Sequence, residues 1–165
     1  MCRHLIDIQI TIPQSQSQGE LSIIWHTNPV EYNNMSLSKN KTLVKSYIEE
    51  VSNNHDLSDI EKYLEGEGRE WFKQFLSEFL TAFPDSHTNI EYIIAENDLV
   101  VVFLNGTGTH KGQFQGRTPT NKQVNIRSAD LYRIENEKIV GHWDVVDQLN
   151  LLQQTGATLS QVDKK

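Results

Sequence analysis

The sequence contains a single cysteine, Cys2, among 165 residues. One cysteine excludes a disulfide framework and any metal site built on paired cysteines. A membrane-spanning helix needs about 20 consecutive apolar residues, and no apolar run approaches that length. The start of the sequence also lacks the basic region and apolar stretch that together mark a secretory signal peptide. These absences favour a cytoplasmic protein without a membrane segment.

Basic residues are outnumbered, with 15 lysines and arginines against 22 aspartates and glutamates and a formal net charge of −7. An acidic chain without a basic stripe repels phosphates, so we expect no nucleic-acid partner. The length fits one domain with room for a tail. A domain of about 150 residues buries enough surface to fold without disulfides or metals.

Residues 1–36 differ in composition from the rest of the chain. Apolar residues alternate over Ile6–Ile12 as in a short strand, and a run rich in glutamine and serine then interrupts the pattern. We expect this segment to be a loosely ordered extension, and the change in composition near Met35 raises the hypothesis that the natural chain starts there. A domain over residues 37–156 and a short tail over 157–165 complete the predicted organisation.

Three segments before residue 84 have helical periodicity. The first runs from Leu43 to Val51 with Ser36 or Ser38 as candidate cap, and a short second helix covers Ser58–Leu64. The third carries the strongest signal, an apolar stripe that Pro84 ends. This stripe consists of Phe72, Phe75, Leu76, Phe79, Leu80 and Phe83. It predicts a helix packed on the core, and Phe79 is our candidate for the wall of a pocket.

Beyond Pro84 the periodicity changes from helical to alternating, which predicts strands. The predicted strands are Thr88–Ala95, Leu99–His110, Gln123–Glu135 and Lys138–Val146. Glu96–Asp98 and Glu135–Glu137 are tight hairpin connections between them, and Gly112–Lys122 is a longer one. Asp147 is placed to cap a final helix over Gln148–Gln154. Helices followed by a meandering antiparallel sheet indicate the α+β class.

The last hairpin collects polar residues on one face. If its turn is centred on Asn136, Asp130 lies opposite His142 and Ser128 opposite Asp144, because side chains alternate along each strand. The predicted face contains Ile126, Ser128, Asp130, Tyr132, His142 and Asp144. Two carboxylates, an imidazole, a phenol and a hydroxyl beside apolar residues are typical of a polar site inside an apolar cavity.

Carboxylates become useful general bases through burial or through a second carboxylate nearby, so Asp130 and Asp144 are candidate acid/base groups. Three alternatives stay open. The residues could form a cross-strand polar contact on a solvated face, or His110, His142 and Asp144 could supply the two histidines and carboxylate of an iron site. A one-residue shift in the hairpin would exchange the faces and make Asp147 the better candidate base.

Several fragments occur in a distinctive order in the second half of the chain. They are Phe83–His87, Gly108–Gly116, Pro119-Thr120, Asp130–Arg133, Lys138–Asp144 and Leu151–Gly156. Together they resemble the SnoaL-like polyketide cyclase family over about Leu37–Gly156. The resemblance implies a cone-shaped α+β barrel, the fold shared with nuclear transport factor 2 and ketosteroid isomerase, in which three N-terminal helices pack on a curved, mostly antiparallel sheet and enclose an apolar pocket.

The resemblance also implies an activity: intramolecular aldol condensation or a related proton transfer on a small apolar carbonyl compound, with no metal and no organic cofactor. The aspartate that the family uses as acid/base matches Asp144, and Asp130 and His142 are its predicted catalytic neighbours. The predicted substrate-binding residues are Ser128, Tyr132, Ile126, His110, Tyr47 and Phe79. Members are usually homo-oligomers, dimers or tetramers, built through the sheet. The alternative is a non-catalytic small-molecule-binding or oligomerisation module of the same fold.

One segment departs from the family pattern. Leu64–Gly68 leads almost directly into the third helix, whereas members of the family usually have a longer segment there, often with a histidine that points into the pocket. This difference predicts a more open pocket or a smaller substrate.

Overall fold

A computed structural model describes residues 29–66 and 68–156, with side chains from residue 34 onward. The helices of this part are α1 (Pro29–Tyr47), α2 (Ile60–Tyr63), α3 (Arg69–Ala82) and α4 (Gln148–Gln154). The strands are β1 (His87–Glu96), β2 (Leu99–Thr109), β3 (Gln123–Glu135) and β4 (Lys138–Val146). They form one antiparallel sheet in the order β1-β2-β3-β4. The α+β class, with helices packed on a curved antiparallel sheet, is as predicted, and the sheet of the described residues is not closed into a barrel.

The predicted limits of β3, β4 and α4 agree with the structure. Asp147 caps α4, since its side chain accepts a hydrogen bond from the backbone nitrogen of Asn150 at 3.1 Å. Strand β2 ends at Thr109, one residue before the predicted end. The strand expected over Ile6–Ile12 and the tail over 157–165 lie outside the described residues.

Helix α1 begins at Pro29, whereas the sequence analysis placed its cap at Ser36 or Ser38. Proline is favourable in the first turn of a helix, because the backbone N–H it lacks would have no helical partner there. The helix continues into a wider turn over Ile48–Asn53, where the nitrogen of Asn54 donates to the carbonyl of Glu49, five residues earlier.

The wider turn at the end of α1 is tied to the start of β1 by one amide side chain. Asn53 accepts from the backbone nitrogen of Thr88 at 2.8 Å and donates to the carbonyl of Thr88 at 3.1 Å. This pair of bonds reproduces the pattern of a sheet ladder, so it fixes the position of Thr88 relative to the helices.

The core lies between the helices and the inner face of the sheet. Its fully buried members include Val44, Tyr47, Val51, Ile60, Val100 and Val102. Leu76 of α3 is buried as the stripe predicted, whereas Phe75 is 36% exposed and stacks on the exposed Trp71 with ring centroids 5.9 Å apart. Part of the apolar stripe of α3 is therefore exposed rather than packed in the core.

The predicted pairing of the last hairpin is wrong by two residues. Asp130 pairs with Asp144, Tyr132 pairs with His142, and Ser128 pairs with Val146. The turn between the strands has two central residues, Asn136 and Glu137, with φ of 50° and 60°, as a tight hairpin turn requires. It is not centred on Asn136, and this shifts the pairing by one residue.

A bulge in β4 shifts the pairing by one residue more. Ile134 pairs with Ile139 but Arg133 pairs with Gly141, so Val140 has no opposite residue. Because the turn and the bulge each contribute one residue, the total shift is even. The polar residues therefore stay on the predicted face although their partners differ.

Candidate active site

A cavity of about 280 Å³ lies between α3 and the inner face of the sheet. Its apolar lining consists of Phe72, Leu76, Phe79, Leu80, Phe83, Leu104, Phe114, Val124, Ile126 and Leu151, among others. Its polar lining includes Ser86, Thr88, Ser128, Asp130, His142 and Asp144. This volume is near the lower limit of small-molecule sites, which typically span about 300–1,000 Å³.

All of the predicted site residues line this cavity except His110. The His110 side chain is buried, and its ring stacks on Phe83 with centroids 5.3 Å apart. Strand β2 ends at Thr109, and His110 follows it, packed on Phe83, which itself lines the cavity. Its Nδ1 lies 3.2 Å from the hydroxyl of Thr120. His110 is not among the residues that line the cavity, so its role in substrate binding stays a prediction.

Asp130 is the centre of the polar cluster. Its Oδ2 accepts a hydrogen bond from the Tyr132 hydroxyl at 3.2 Å and lies 3.3 Å from His142 Nε2. A carboxylate only accepts, so the second contact requires the hydrogen of the imidazole on Nε2. The side chains of Asp130 and His142 are 13% and 20% exposed. The cluster is thus largely withdrawn from water.

Aromatic rings hold His142 in place. Its ring stacks on Tyr132 at 4.8 Å and meets Phe72 of α3 edge-on at 4.9 Å. Because rotation of the imidazole would break both contacts, Nε2 stays directed at Asp130. Tyr132 in turn packs edge-on against Tyr47 of α1 at 6.1 Å.

The two carboxylates differ in their surroundings. Asp130 Oδ1 is buried and has no hydrogen-bond partner among the described residues. Asp144, opposite it in the ladder, is exposed and lines the cavity as well. No lysine or arginine of the described residues lies within ion-pair distance of either one, and among these residues only His142 makes an ionic contact, with Asp130. Both can therefore accept protons or hydrogen bonds from a ligand.

The two tyrosines that line the cavity, Tyr47 and Tyr132, remain neutral across the physiological range. Burial raises the pKa of Tyr132 well above its ordinary value, and the negative charge of Asp130 raises it further. Burial also raises the pKa of Tyr47, an effect that a hydrogen bond from Ser52 partly offsets. Tyr132 therefore donates to Asp130 at any pH at which the protein works.

The sequence analysis missed two kinds of cavity residue. Phe114 lies in the long connection between β2 and β3, where no periodicity marks it, and packs edge-on against Phe79 and Phe83 at 5.8 Å and 5.4 Å. Thr88 had a usable signal, because it alternates with Ile90 on the inward side of β1. Its hydroxyl belongs to the same inner face as the predicted site.

The alternative iron site does not assemble. His110 is not part of the cavity lining that contains His142 and Asp144. Within the described residues, no group of three histidine, cysteine, aspartate or glutamate side chains is arranged to hold a metal ion. None of the described helices combines the length and apolar character needed to cross a membrane.

The sequence profile of the SnoaL-like polyketide cyclase family matches residues 40–155 of this chain. The chain belongs to this family. No curated protein sequence matches it significantly.

Solved structures similar to this chain have the same fold. AclR from Streptomyces galilaeus has a TM-score of 0.66 at 28% identity, with 76% of this chain and 87% of AclR covered. A SnoaL-like polyketide cyclase from Agrobacterium tumefaciens has a TM-score of 0.61 at 18% identity, covering 71% and 98% of the two chains. IdmH from Streptomyces antibioticus has a TM-score of 0.62 at 22% identity, covering 72% and 99%. The fold is that of the SnoaL-like cyclases and of nuclear transport factor 2.

Proposed function

We propose that the protein is a cytoplasmic, cofactor-independent acid/base enzyme of the ester cyclase type, acting on a small apolar carbonyl compound. The observation that carries the proposal is the pairing of Asp130 with Asp144 across β3 and β4, in a cavity whose other walls are mostly apolar. Enzymes place carboxylates in such surroundings to move protons to and from carbon. Membership of the cyclase family supports the same reaction class.

In the proposed mechanism Asp144 removes a proton from carbon beside a carbonyl group of the substrate. The resulting enolate carbon attacks a ketone within the same molecule, so that one carbon–carbon bond forms and the ketone oxygen becomes an alkoxide. Protonated Asp144 returns its proton to this alkoxide. The apolar walls fold the substrate so that the two carbons meet, which is the larger part of the catalytic task.

His142 and Asp130 act beside the base. The Nε2–H of His142 and the Tyr132 hydroxyl both point at Asp130 Oδ2, whereas the buried Oδ1 has no hydrogen-bond partner among the described residues. In the proposed mechanism this cluster sets the polarity beside Asp144. Ser128 lies on the same inner face and can donate to a carbonyl oxygen.

The exchange of carbon-bound hydrogen tests this proposal without knowledge of the natural substrate. 2-Tetralone is a compact bicyclic ketone with acidic protons beside its carbonyl, and NMR follows their replacement by deuterium. We expect the wild-type protein to accelerate exchange above the buffer rate. The acceleration by Asp144→Asn should be about 10²–10⁴-fold smaller. Asp98→Asn, at an exposed turn residue outside the cavity lining, is the matched control. Equal rates in the wild type and Asp144→Asn would overturn the assignment of the base.

The exposure of Asp144 favours a second candidate function, a binding module that keeps the cavity without the chemistry. AclR is provisionally assigned as a hydroxylase and IdmH provisionally as a polyketide cyclase, so one fold is associated with different reactions. A binding module would bind 2-tetralone without any exchange above the buffer rate, which separates the two candidates.

We also propose that the protein forms homo-oligomers through the outer face of the sheet. Five large apolar side chains on this face are exposed, namely Tyr92, Ile94, Phe103, Trp143 and Val145. Tyr92 and Phe103 already contact each other across β1 and β2, with ring centroids 6.2 Å apart. Exposed apolar patches of this kind commonly mark protein–protein interfaces.

A further inference from the structure

The inner face of the sheet has a second polar position, far from the carboxylates. Thr88, Gly106 and Ile126 are successive ladder partners on β1, β2 and β3, so they form one row across the inner face. Asp130 and Asp144 belong to another row. Ile126 and Asp130 are four residues apart on β3, which corresponds to about 13 Å along the strand.

One inner-face row lies between these two positions, and it is mainly apolar: Ile90, Leu104 and Val146 accompany Ser128. Leu104 faces the cavity midway between the two positions, and Phe79 lines the cavity from α3. The cavity thus has the carboxylates at one end, a mainly apolar middle and the Thr88 row at the other end. A ligand that fills it has to match this order of polar and apolar surfaces.

The hydroxyl of Thr88 is available to a ligand. The hydrogen bonds that Thr88 makes within the described residues use its backbone nitrogen and carbonyl, both with Asn53. Thr88 is half-buried and lines the cavity. Because the hydroxyl has no hydrogen-bond partner among the described residues, it can donate to or accept from a ligand in the cavity.

Gly106 leaves space beside this hydroxyl. A Cβ built on Gly106 would have as its nearest neighbours the carbonyl of Ile126 at 3.8 Å and the Thr88 Oγ1 at 3.9 Å. A methyl-sized group therefore fits above the glycine backbone, in ordinary van der Waals contact with Thr88 Oγ1. A ligand atom can reach the hydroxyl there without displacing a side chain.

We propose that Thr88 and the space above Gly106 form a distal subsite, which binds a hydroxyl or carbonyl group at the far end of an elongated, otherwise apolar ligand. This inference rests on the proposed function in taking the cavity as the ligand site, and it narrows the substrate class. The substrate has a reacting carbonyl near Asp144, a fused-ring or similarly flat apolar body over Leu104, and a second oxygen function at the opposite end.

The binding of two naphthalene probes tests the subsite. Calorimetry measures their affinities, and NMR titration of the backbone amides locates where they bind. 2-Naphthol has one hydroxyl, and naphthalene-2,6-diol has a second one at the opposite end. We expect the wild type to bind the diol about threefold to tenfold more tightly, beyond the factor of two that the symmetry of the diol contributes. The amide signals of Thr88 and Gly106 should shift with the diol.

Two variants of Thr88 identify the group responsible. Thr88→Val keeps the shape and both backbone hydrogen bonds but removes the hydroxyl, so it should abolish the preference for the diol and leave 2-naphthol unaffected. Thr88→Ser keeps a hydroxyl and should retain the preference. Equal affinities in the wild type, or a preference that persists in Thr88→Val, would overturn the subsite while leaving the proposed function standing. Binding of neither probe would overturn the cavity as a ligand site and both proposals with it.

Discussion

Asp130 and Asp144 are direct ladder partners, yet one is largely buried and the other is exposed. Asp130 holds its Oδ2 against Tyr132 and His142, whereas Asp144 is free to move into contact with a ligand. In the proposed mechanism the two carboxylates therefore have different tasks: the exposed one exchanges protons with the substrate, and the buried one sets the polarity and geometry of the site.

The first prediction concerns the coupling of these carboxylates. If Asp130 acts by positioning the substrate for Asp144, Asp130→Asn should reduce the 2-tetralone exchange rate about tenfold or more, and the double variant should be no slower than Asp144→Asn alone. Residues that act as a unit show this non-additivity. If Asp130→Asn instead slowed exchange by the same factor in the wild type and in Asp144→Asn, Asp130 would have an independent catalytic role.

The second prediction concerns stability at alkaline pH. Tyr47 and Tyr132 have raised pKa values, chiefly through burial. Above about pH 10 the unfolded chain ionises these tyrosines while the folded protein keeps them protonated, so the folded state binds more protons and the free energy of unfolding falls as pH rises.

Each such tyrosine contributes a slope of up to about 1.4 kcal/mol per pH unit. Tyr132→Phe should therefore flatten the pH dependence of the unfolding free energy above pH 10, as measured by denaturant titrations monitored by circular dichroism. Tyr92→Phe, at a side chain that is 67% exposed, is the matched control. A Tyr132→Phe slope equal to that of the wild type would contradict the prediction.

The third prediction concerns the outer face of the sheet. Phe103→Glu places a charge among the exposed apolar residues there and should convert oligomers to monomers in sedimentation equilibrium. Trp71→Glu changes an aromatic residue that is 68% exposed on α3, away from this face, and should leave the assembly intact. A wild type that is monomeric at micromolar concentration would contradict the proposed interface.

The fourth prediction concerns the loop that carries Phe114. The nitrogen of Gly112 donates to the carbonyl of Ala82 at 3.0 Å, and a Cβ on Gly112 would lie 2.5 Å from the carbonyl oxygen of Thr81. Gly112→Ala should push this loop off the end of α3 at a cost of about 1–3 kcal/mol in unfolding free energy.

The loop displacement should also loosen Phe114 and weaken the binding of apolar probes in the cavity. Gly68→Ala is the control, since a Cβ there meets nothing within 4 Å, and its effect should stay within about 0.5 kcal/mol. An unchanged stability of Gly112→Ala, measured in the same denaturant titrations, would show that the loop adapts freely.

The sequence predicted the order and limits of the strands well, because alternation and turn residues are local signals. The predicted start of α1 was wrong, because a helix can begin at a proline such as Pro29 without a capping side chain that would mark its start in the sequence. The face that carries Asp130 and Asp144 was predicted, but their partners were not. Partners depend on the number of residues in the turn and on the bulge at Val140, and no residue type in this hairpin specifies either.

His110 and Phe114 show a different limit. His110 was included in a strand that ends one residue earlier, and it is buried against Phe83, which lines the cavity, without lining the cavity itself. Phe114 reaches the cavity from a connection without periodicity, because the close contact of Gly112 with the end of α3 directs the loop inward. That contact joins distant parts of the sequence, so only the folded chain reveals it.

Because of the bulge at Val140, β4 has one residue more than its pairing with β3 requires. If Val140 or Gly141 were deleted, the strand could straighten and still present His142 opposite Tyr132 and Asp144 opposite Asp130, because the pairing before and after the bulge would join without a gap. A single insertion in the same stretch could not be absorbed in this way and would turn the Asp144 side chain to the outer face. Length changes in this strand are therefore tolerated in one direction only, and sequences related to this one should differ accordingly.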